Sequence, residues 1–325
     1  MTAPLILAVP SKGRLQENAA AFFARAGLVF TQSRGARDYR GTLAGVPDVE
    51  VAFLSASEIV SQLASGTVHL GITGEDLVRE QIADADSTVE LLTPLGFGNA
   101  NVVVAVPQAW IDVRTMADLD EVAADLRARH GRKMRVATKY VNLTRRFFAN
   151  HGIADYLIVE SLGATEGAPG AGSAELIVDI TTTGTTLAAN ALKILDDGVM
   201  LRSEANLVAS LKAPWTDRAR AAATAVLTRI AAEEEARTSR EVRASLHPNQ
   251  VSGLSALMQN LGASLPYGLP QGREVVVHCK AGTVFEVVAG LQALDAQDIS
   301  VSTFDYLFRS TNALSEKLLR CLARA

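Results

Sequence analysis

The chain has 325 residues, 48% hydrophobic and 20% charged, enough for two or three domains with substantial cores. A net charge of −4 argues against nucleic-acid binding through a basic surface. Two cysteines, Cys279 and Cys321, make neither a disulfide framework nor a zinc site and suit a reducing cytoplasm; no apolar run nears the ~18 residues of a membrane-crossing helix, and no basic leader with a cleavage site precedes the first strand.

Leu5 to Val9 is an all-apolar run, as expected of a strand buried on both faces. The loop Pro10-Ser11-Lys12-Gly13-Arg14 follows, then a helix from Leu15 to Ala26 that Gly27 ends. Lys12 and Arg14 are either solvated surface charges or phosphate ligands, Arg suiting bidentate contacts and Lys a point charge. Val49 to Leu54 is the second predicted strand, and Ala56 to Ser65 a short helix. Val68 to Gly74 is a strand leading into Glu75 and Asp76. His69 inside that apolar run reads as a satisfied core or edge histidine. Gly71 and Gly74 predict close backbone approach on the ligand side of an open α/β sheet. The alternation implies a mainly parallel sheet.

Leu91 to Leu95 and Asn101 to Val106 are strands joined by the bend Gly96-Phe97-Gly98-Asn99, a crossover into a second lobe. Asp118 to His130 is a helix and Met134 to Thr138 a strand. The loop Lys139-Tyr140-Val141-Asn142 comes next, then a helix from Leu143 to Gly152 with Asn142 as N-cap. Tyr140 stacks on a base, bonds a phosphate or simply packs. Tyr156 to Glu160 is a strand, and the turn Ser161 to Pro169 carries one carboxylate, Glu166, either solvated or part of a site.

Leu176 to Asp179 reads as the end of a buried strand. Thr181, Thr182, Thr183, Gly184, Thr185 and Thr186 form a loop, and a helix is expected from Leu187 to Asp196, stopped by Asp196-Asp197-Gly198. Strand, Gly/Thr loop and helix N-terminus make an anion site: unpaired N–H groups point into the loop, hydroxyls add donors, and Gly184 permits close approach. Asp179 at the strand end suits sugar hydroxyls or a water-held metal. Loops 11–14, 71–76, 138–144, 163–166 and 179–186 all lie at strand ends and predict a shared cleft.

These motifs together resemble ATP phosphoribosyltransferase, the first enzyme of histidine biosynthesis, through roughly the first 215 residues. The resemblance rests on Pro10 to Leu15, Gly71 to Asp76, Ala137 to Tyr140, Gly163 to Pro169 and Asp179 to Leu187. It implies a two-lobed fold like periplasmic binding proteins. The implied reaction joins N1 of the ATP adenine to C1 of 5-phosphoribosyl 1-pyrophosphate, releasing pyrophosphate with Mg²⁺. It implies catalytic roles for Asp179, Glu166, Lys12 and Arg14. Substrate-binding roles go to residues 181–186, Tyr140, Lys139, Gly71, Asp76 and Ser11, with Mg²⁺ held mainly by the pyrophosphate, near Asp179. Members often carry Pro where this chain has Val141. Ile180 after Asp179 departs from the two adjacent acids of the other large phosphoribosyltransferase class.

Leu207 to Leu211 is a strand returning the chain to the first lobe, and Asp217 to about Ser239 a long, solvated connecting helix. Strands and helices at 243–247, 249–261, 263–265, 274–279, 283–294 and 299–304 follow the βαββαβ, ferredoxin-like (ACT-like) plan. This resembles the regulatory domain of the enzyme's long form, where histidine inhibits; a purely oligomerising domain is the other reading. His278 and Cys279 read as packing. The expected division is 1–97 with 188–215 as the first lobe, 98–187 as the second, and 216–325 for regulation and oligomerisation. A cytoplasmic homo-oligomer is expected. The rival is a non-catalytic two-lobed small-molecule sensor, against which the Lys12–Arg14 loop and the lack of an export signal count.

Overall fold

The computed structural model describes residues 3–32, 39–161 and 163–324. The first lobe opens with β1 (Leu5–Pro10), α1 (Gly13–Arg25), β2 (Val29–Gln32), β3 (Arg40–Ala44) and β4 (Val49–Leu54). It continues with α2 (Ala56–Ala64), β5 (Leu70–Gly74), α3 (Glu75–Gln81), α4 (Ala85–Thr88) and β6 (Val89–Pro94). The second lobe holds β7 (Ala100–Pro107), α5 (Met116–His130), β8 (Met134–Thr138), α6 (Val141–Asn150), β9 (Tyr156–Glu160), β10 (Leu176–Thr181), α7 (Thr185–Ala189) and β11 (Leu192–Ser203). The chain returns through β12 (Ala205–Ser210) and the long helix α8 (Asp217–Thr238). It then adds β13 (Ser239–Ser245), α9 (Val251–Asn260), β14 (Glu274–Lys280), α10 (Val284–Ala293), β15 (Gln297–Ser302) and α11 (Ala313–Leu322).

The first sheet runs β2-β3-β4-β1-β5-β12-β6, and the second β11-β7-β10-β8-β9. Two crossovers join them, residues 95–99 and Glu204. Gly96 N donates to Glu204 Oε2 (3.1 Å), and the first crossover also bonds the start of β12, Leu95 N donating to Ala205 O (2.9 Å) and Ala205 N to Phe97 O (2.9 Å). Two α/β lobes on a paired hinge give the periplasmic-binding-protein-like fold.

Only β4-β1-β5 in the first sheet is parallel; the other pairings are antiparallel. The mainly parallel reading fails there because β2 and β3 form an edge hairpin and the returning β12 runs against both β5 and β6. Along β3 the side chains alternate exposed and buried, so only Gly41 and Leu43 face inward and the hydrophobic signal is weak. His69 is a satisfied core histidine: its Nδ1 accepts from Ile6 N (3.1 Å), its Nε2 lies 3.4 Å from Pro214 O, and burial lowers its pKa.

Three further expectations are corrected. The helix expected from Leu187 to Asp196 is a single turn, Thr185–Ala189, and the twelve-residue β11 replaces the rest. Pairing with β7 overrides local helix propensity, and Asp196-Asp197-Gly198 forms a bulge in that ladder rather than a helix stop. Residues 192–203, expected in the first lobe, therefore belong to the second sheet. The helix read as solvated, α8, buries Ala219, Ala223, Val226, Leu227 and Ile230 in the first lobe's core.

The C-terminal sheet has the order β14-β13-β15, all antiparallel, with α9 and α10 packed on a core around Val242, Val277, Val287 and Leu291. The short strand expected at 263–265 is a single bridge, Ser264 to His278, at the β14 edge. After β15 the chain turns back. Tyr306 OH donates to Arg25 O (3.0 Å), and α11 buries Leu318 in the first lobe's core.

Candidate active site

Strand β10 lies inside the second sheet, antiparallel to β7 and parallel to β8. Its apolar half, Leu176 to Val178, is fully buried, and the chain emerges at Asp179. The loop beyond is shaped by its own side chains. Thr181 Oγ1 accepts from Gly184 N (2.8 Å), and Gly184 takes φ +77°, a left-handed value that favours glycine. Thr182 Oγ1 donates to Asn99 O (2.9 Å), tying the loop to the crossover. The hydroxyls of Thr183 and Thr185 pair at 2.8 Å. The N–H groups of Thr182, Thr183 and Thr186 donate to nothing among the described residues. They, the exposed hydroxyl of Thr186 and the one hydroxyl hydrogen that the Thr183–Thr185 pair leaves over can meet an anion. The five-residue α7 adds little dipole, so local N–H geometry makes this site.

Glu166 reaches the same place from a one-turn 3₁₀ helix, Thr165–Gly167, set up by Ala164 at φ +49°. Leu162, in the turn before it, lies outside the described residues. Asp179, Glu166, Asn99, Thr182, Thr183 and Thr186 line a cavity of about 450 Å³, a size suited to a phosphosugar. Burial raises the pKa of Asp179, and the charge of Glu166 raises it further; the Ile180 N–H on Oδ1 (2.8 Å) and the Lys139 cation oppose this. Lys139 is exposed, with Nζ 5.1 Å from the Tyr140 ring centroid.

Other expected residues stand apart. Lys12 and Arg14 are exposed at the entrance to α1, with no ion pair or hydrogen bond among the described residues, and neither lines the cavity. Their helix nevertheless abuts the crossover, where Leu15 Cδ1 would lie 3.5 Å from a Cβ on Gly98. Ser11 is half-buried beside them, its N–H donating to Leu54 O (2.8 Å).

Three residues are corrected from the cleft lining to the interior. Gly71 makes room for a helix, not a ligand: a Cβ there would come within 2.6 Å of Ile59 Cγ2. Tyr140 is 1% exposed, and its hydroxyl donates to Asp76 Oδ2 (2.7 Å), so neither base stacking nor a phosphate bond is open to it. Asp76 is buried too, with Oδ1 accepting from Ser203 Oγ (2.9 Å). Burial and the Asp76 charge push the Tyr140 pKa far up, so it stays a proton donor.

The sequence reading missed Asn99, Ser203 and Glu80. Buried Glu80 accepts from the N–H groups of Asn142 and Leu143 (both 2.9 Å), at the start of α6. Its signal was available, since Asp76 and Glu80 are four residues apart and share a helix face. Ser203 had none, because only the fold brings it to Asp76.

Two lobes on a paired hinge, with a Thr/Gly anion loop beside an acid in one of them, define a two-lobed α/β protein with a phosphate-type site. Residues 55–232 match the family model "HisG: ATP phosphoribosyltransferase". The ATP phosphoribosyltransferase of Afipia carboxidovorans is 60% identical over 98% of both chains, and that of Bradyrhizobium diazoefficiens 58% over 100% of both. A solved "ATP phosphoribosyl transferase (HisG:HisZ) complex from Thermotoga maritima" superposes with a TM-score of 0.53 at 25% identity, covering 70% of this chain and 96% of that one. The chain belongs to the ATP phosphoribosyltransferase family of histidine biosynthesis, and is an enzyme rather than a sensor. The two relatives match it nearly end to end, so they extend over the C-terminal sheet as well, whereas 70% of this chain suffices to cover 96% of the solved one.

Proposed function

We propose that the loop 181–186 cradles the 5-phosphate of phosphoribosyl pyrophosphate, with Asp179 at the ribose hydroxyls and Glu166 beside them. The observation that carries this reading is the meeting of unpaired loop N–H groups with Asp179 in one cavity. Lys12, Arg14 and Lys139 supply the cations for the pyrophosphate or the ATP phosphates. The adenine N1 lone pair attacks C1 as the pyrophosphate leaves, so the protein's task is to orient the two substrates about an oxocarbenium-like centre.

Asp179 and Glu166 fit Mg²⁺. That ion commonly takes one or two carboxylates together with substrate phosphates, and among the described residues no larger cluster of ligating side chains competes. When bound, it stabilises charge developing on the pyrophosphate.

The regulatory part of the reading narrows the expected 216–325 to residues 239–302, the span of the C-terminal sheet, and assigns them to feedback inhibition by histidine. It treats the two lobes, with α8 and α11 packed on the first, as the catalytic body. It also makes the chain a cytoplasmic homo-oligomer. Phe285 (84% exposed) and Val301 (49%) support self-association through the C-terminal domain. No helix among the described residues is long and apolar enough to cross a membrane.

The deciding experiment titrates phosphoribosyl pyrophosphate, with and without Mg²⁺, into the intact chain and into Thr183→Val. Weaker binding by the variant is expected, and equal affinity removes the loop from the site. Light scattering of the intact chain, and the ultraviolet assay of turnover with and without histidine, test the rest. A monodisperse monomer, or no inhibition at any histidine concentration, overturns those assignments.

A further inference from the structure

Asp76 and Tyr140 come from different lobes. Asp76 opens α3, after β5 of the first sheet; Tyr140 precedes α6, after β8 of the second. Their buried bond is fully provided for. Asp76 Oδ2 takes the Tyr140 hydroxyl (2.7 Å), Oδ1 takes Ser203 Oγ (2.9 Å), and Asp76 N donates back to that oxygen (2.9 Å). Gly74 leaves the space: a Cβ there would fall 2.2 Å from Asp76 Oδ1. The Tyr140 backbone is also fixed, its N–H donating to Thr138 Oγ1 (2.8 Å) and its carbonyl accepting from Thr144 Oγ1 (2.6 Å). Every handle on this tyrosine is held, so its ring has one position.

A simple clamp between lobes does not require this. Glu80 already ties α3 to the start of α6 through two N–H groups, and Asn142 Nδ2 donates to Glu80 O (2.9 Å). Arg146 adds a bond to Arg79 O. Tyr140 has a second relationship that Glu80 lacks. Its ring carries the ammonium of Lys139 at 5.1 Å, and Lys139 has no hydrogen bond or ion pair among the described residues. An exposed lysine has many rotamers to lose when ordered, so an uncaptured Lys139 would spread over many positions. A tyrosine donating to a carboxylate is electron-rich, which strengthens its hold on a cation.

We infer that Asp76 and Tyr140 are positioning residues: their cross-lobe bond fixes the ring that holds Lys139, which leaves β8 next to Asp179 because Thr138 pairs with Val178 of β10. Lys139 thereby stands ready for the anionic substrate that Asp179 also faces. The inference rests on the proposed assignment of Asp179 and its loop to phosphoribosyl pyrophosphate.

The test is a double-mutant cycle of Tyr140→Phe and Lys139→Ala in the intact chain, with kcat and KM for each substrate. Tyr140→Phe alone should lower kcat/KM for phosphoribosyl pyrophosphate roughly three- to thirtyfold, with KM for ATP unchanged. In the Lys139→Ala background it should cost almost nothing further. Losses that multiply independently, or that fall equally on both substrates, would leave the bond as a structural tie and overturn the inference. Wild-type kinetics in Lys139→Ala would instead overturn the role of Lys139 in the proposed site. Should Tyr140→Phe not fold, Asp76→Asn enters the same cycle with the same expectation.

Discussion

Asp179 and Glu166 put two carboxylates on one cavity of about 450 Å³. Burial raises the pKa of Asp179 above the ordinary carboxylate value, and the Glu166 charge adds to the rise. The folded chain therefore binds this proton more tightly than the unfolded chain. The group's contribution to stability grows as pH falls from the raised folded value toward the unfolded ~3.9, and above that window the desolvated charge is a constant cost.

Asp179→Asn should consequently be more thermostable than the parent at neutral pH, since the amide oxygen can still accept the Ile180 N–H. The advantage should shrink as pH drops through the carboxylate range. Turnover should fall by roughly a hundredfold or more, the scale seen when a charge-stabilising group is removed. Paired melting curves from pH 4 to 8 and a turnover assay check this. An active variant, or a Tm difference independent of pH, would show that the Asp179 charge is neither needed nor strained.

The loop separates shape from contact. Gly184 at φ +77° has open space around an added Cβ, so Gly184→Ala meets only backbone strain, about 1–2 kcal/mol. The lowered stability should come with weaker phosphoribosyl pyrophosphate binding as the loop relaxes. Thr183→Val removes an exposed hydroxyl that among the described residues bonds Thr185 alone, so it should leave urea unfolding nearly unchanged while raising KM severalfold. Thr181→Val should behave like the glycine variant, because Thr181 Oγ1 holds Gly184 N. If Thr183→Val proved as destabilising as Gly184→Ala, its hydroxyl would be a loop brace instead.

The strand-end loops were legible because each couples a buried apolar run to a burst of small or charged residues, as at Val178-Asp179 and Val9-Pro10. Asp179, Glu166, Thr181, Thr182, Thr183 and Thr186 do share one cavity, although local chemistry left Glu166 open between a solvated and a site carboxylate. It did not fix Gly71, whose missing side chain admits Ile59 of α2 rather than a ligand. It also misread Tyr140 and Asp76, since two polar residues from separate lobes satisfy each other only after both lobes form. The β2–β3 hairpin and β11 were missed for the same reason. Their pairing is long-range, and β11 carries the Asp-Asp-Gly signal of a helix end inside a bulge.

Glu80 offers a stability test distinct from the cleft. Its carboxylate is the N-terminal cap of α6, supplied from another lobe. Glu80→Ala leaves the N–H groups of Asn142 and Leu143 without acceptors and should cost about 1–3 kcal/mol in urea unfolding. Glu80→Gln keeps an acceptor oxygen and should cost less. Two resolved transitions in Glu80→Ala, where the parent shows one, would mean the lobes uncouple when this cap is lost. Equal stability of all three chains would show that water satisfies the helix start.

The C-terminal segment returns to the catalytic body instead of ending in the third domain. Leu318 of α11 is 1% exposed and packs into the first lobe's core, while Lys317 Nζ pairs with Glu90 Oε1 (2.8 Å) on β6. Asn312 caps α11, its Oδ1 accepting from the N–H groups of Leu314 (3.0 Å) and Ser315 (3.2 Å). Leu318→Ala should therefore destabilise the first lobe by about 2–5 kcal/mol, although the residue lies beyond the C-terminal sheet. Lys317→Ala removes that pair and the bonds its Nζ makes to Leu91 O and Leu92 O, and should cost about 1–2 kcal/mol, less than the core substitution. Hydrogen exchange locates the effect: lost protection should appear in β6 and α8 and spare β13–β15. Protection lost mainly in the C-terminal sheet would mean that α11 supports that domain, and that the first lobe closes its core without it.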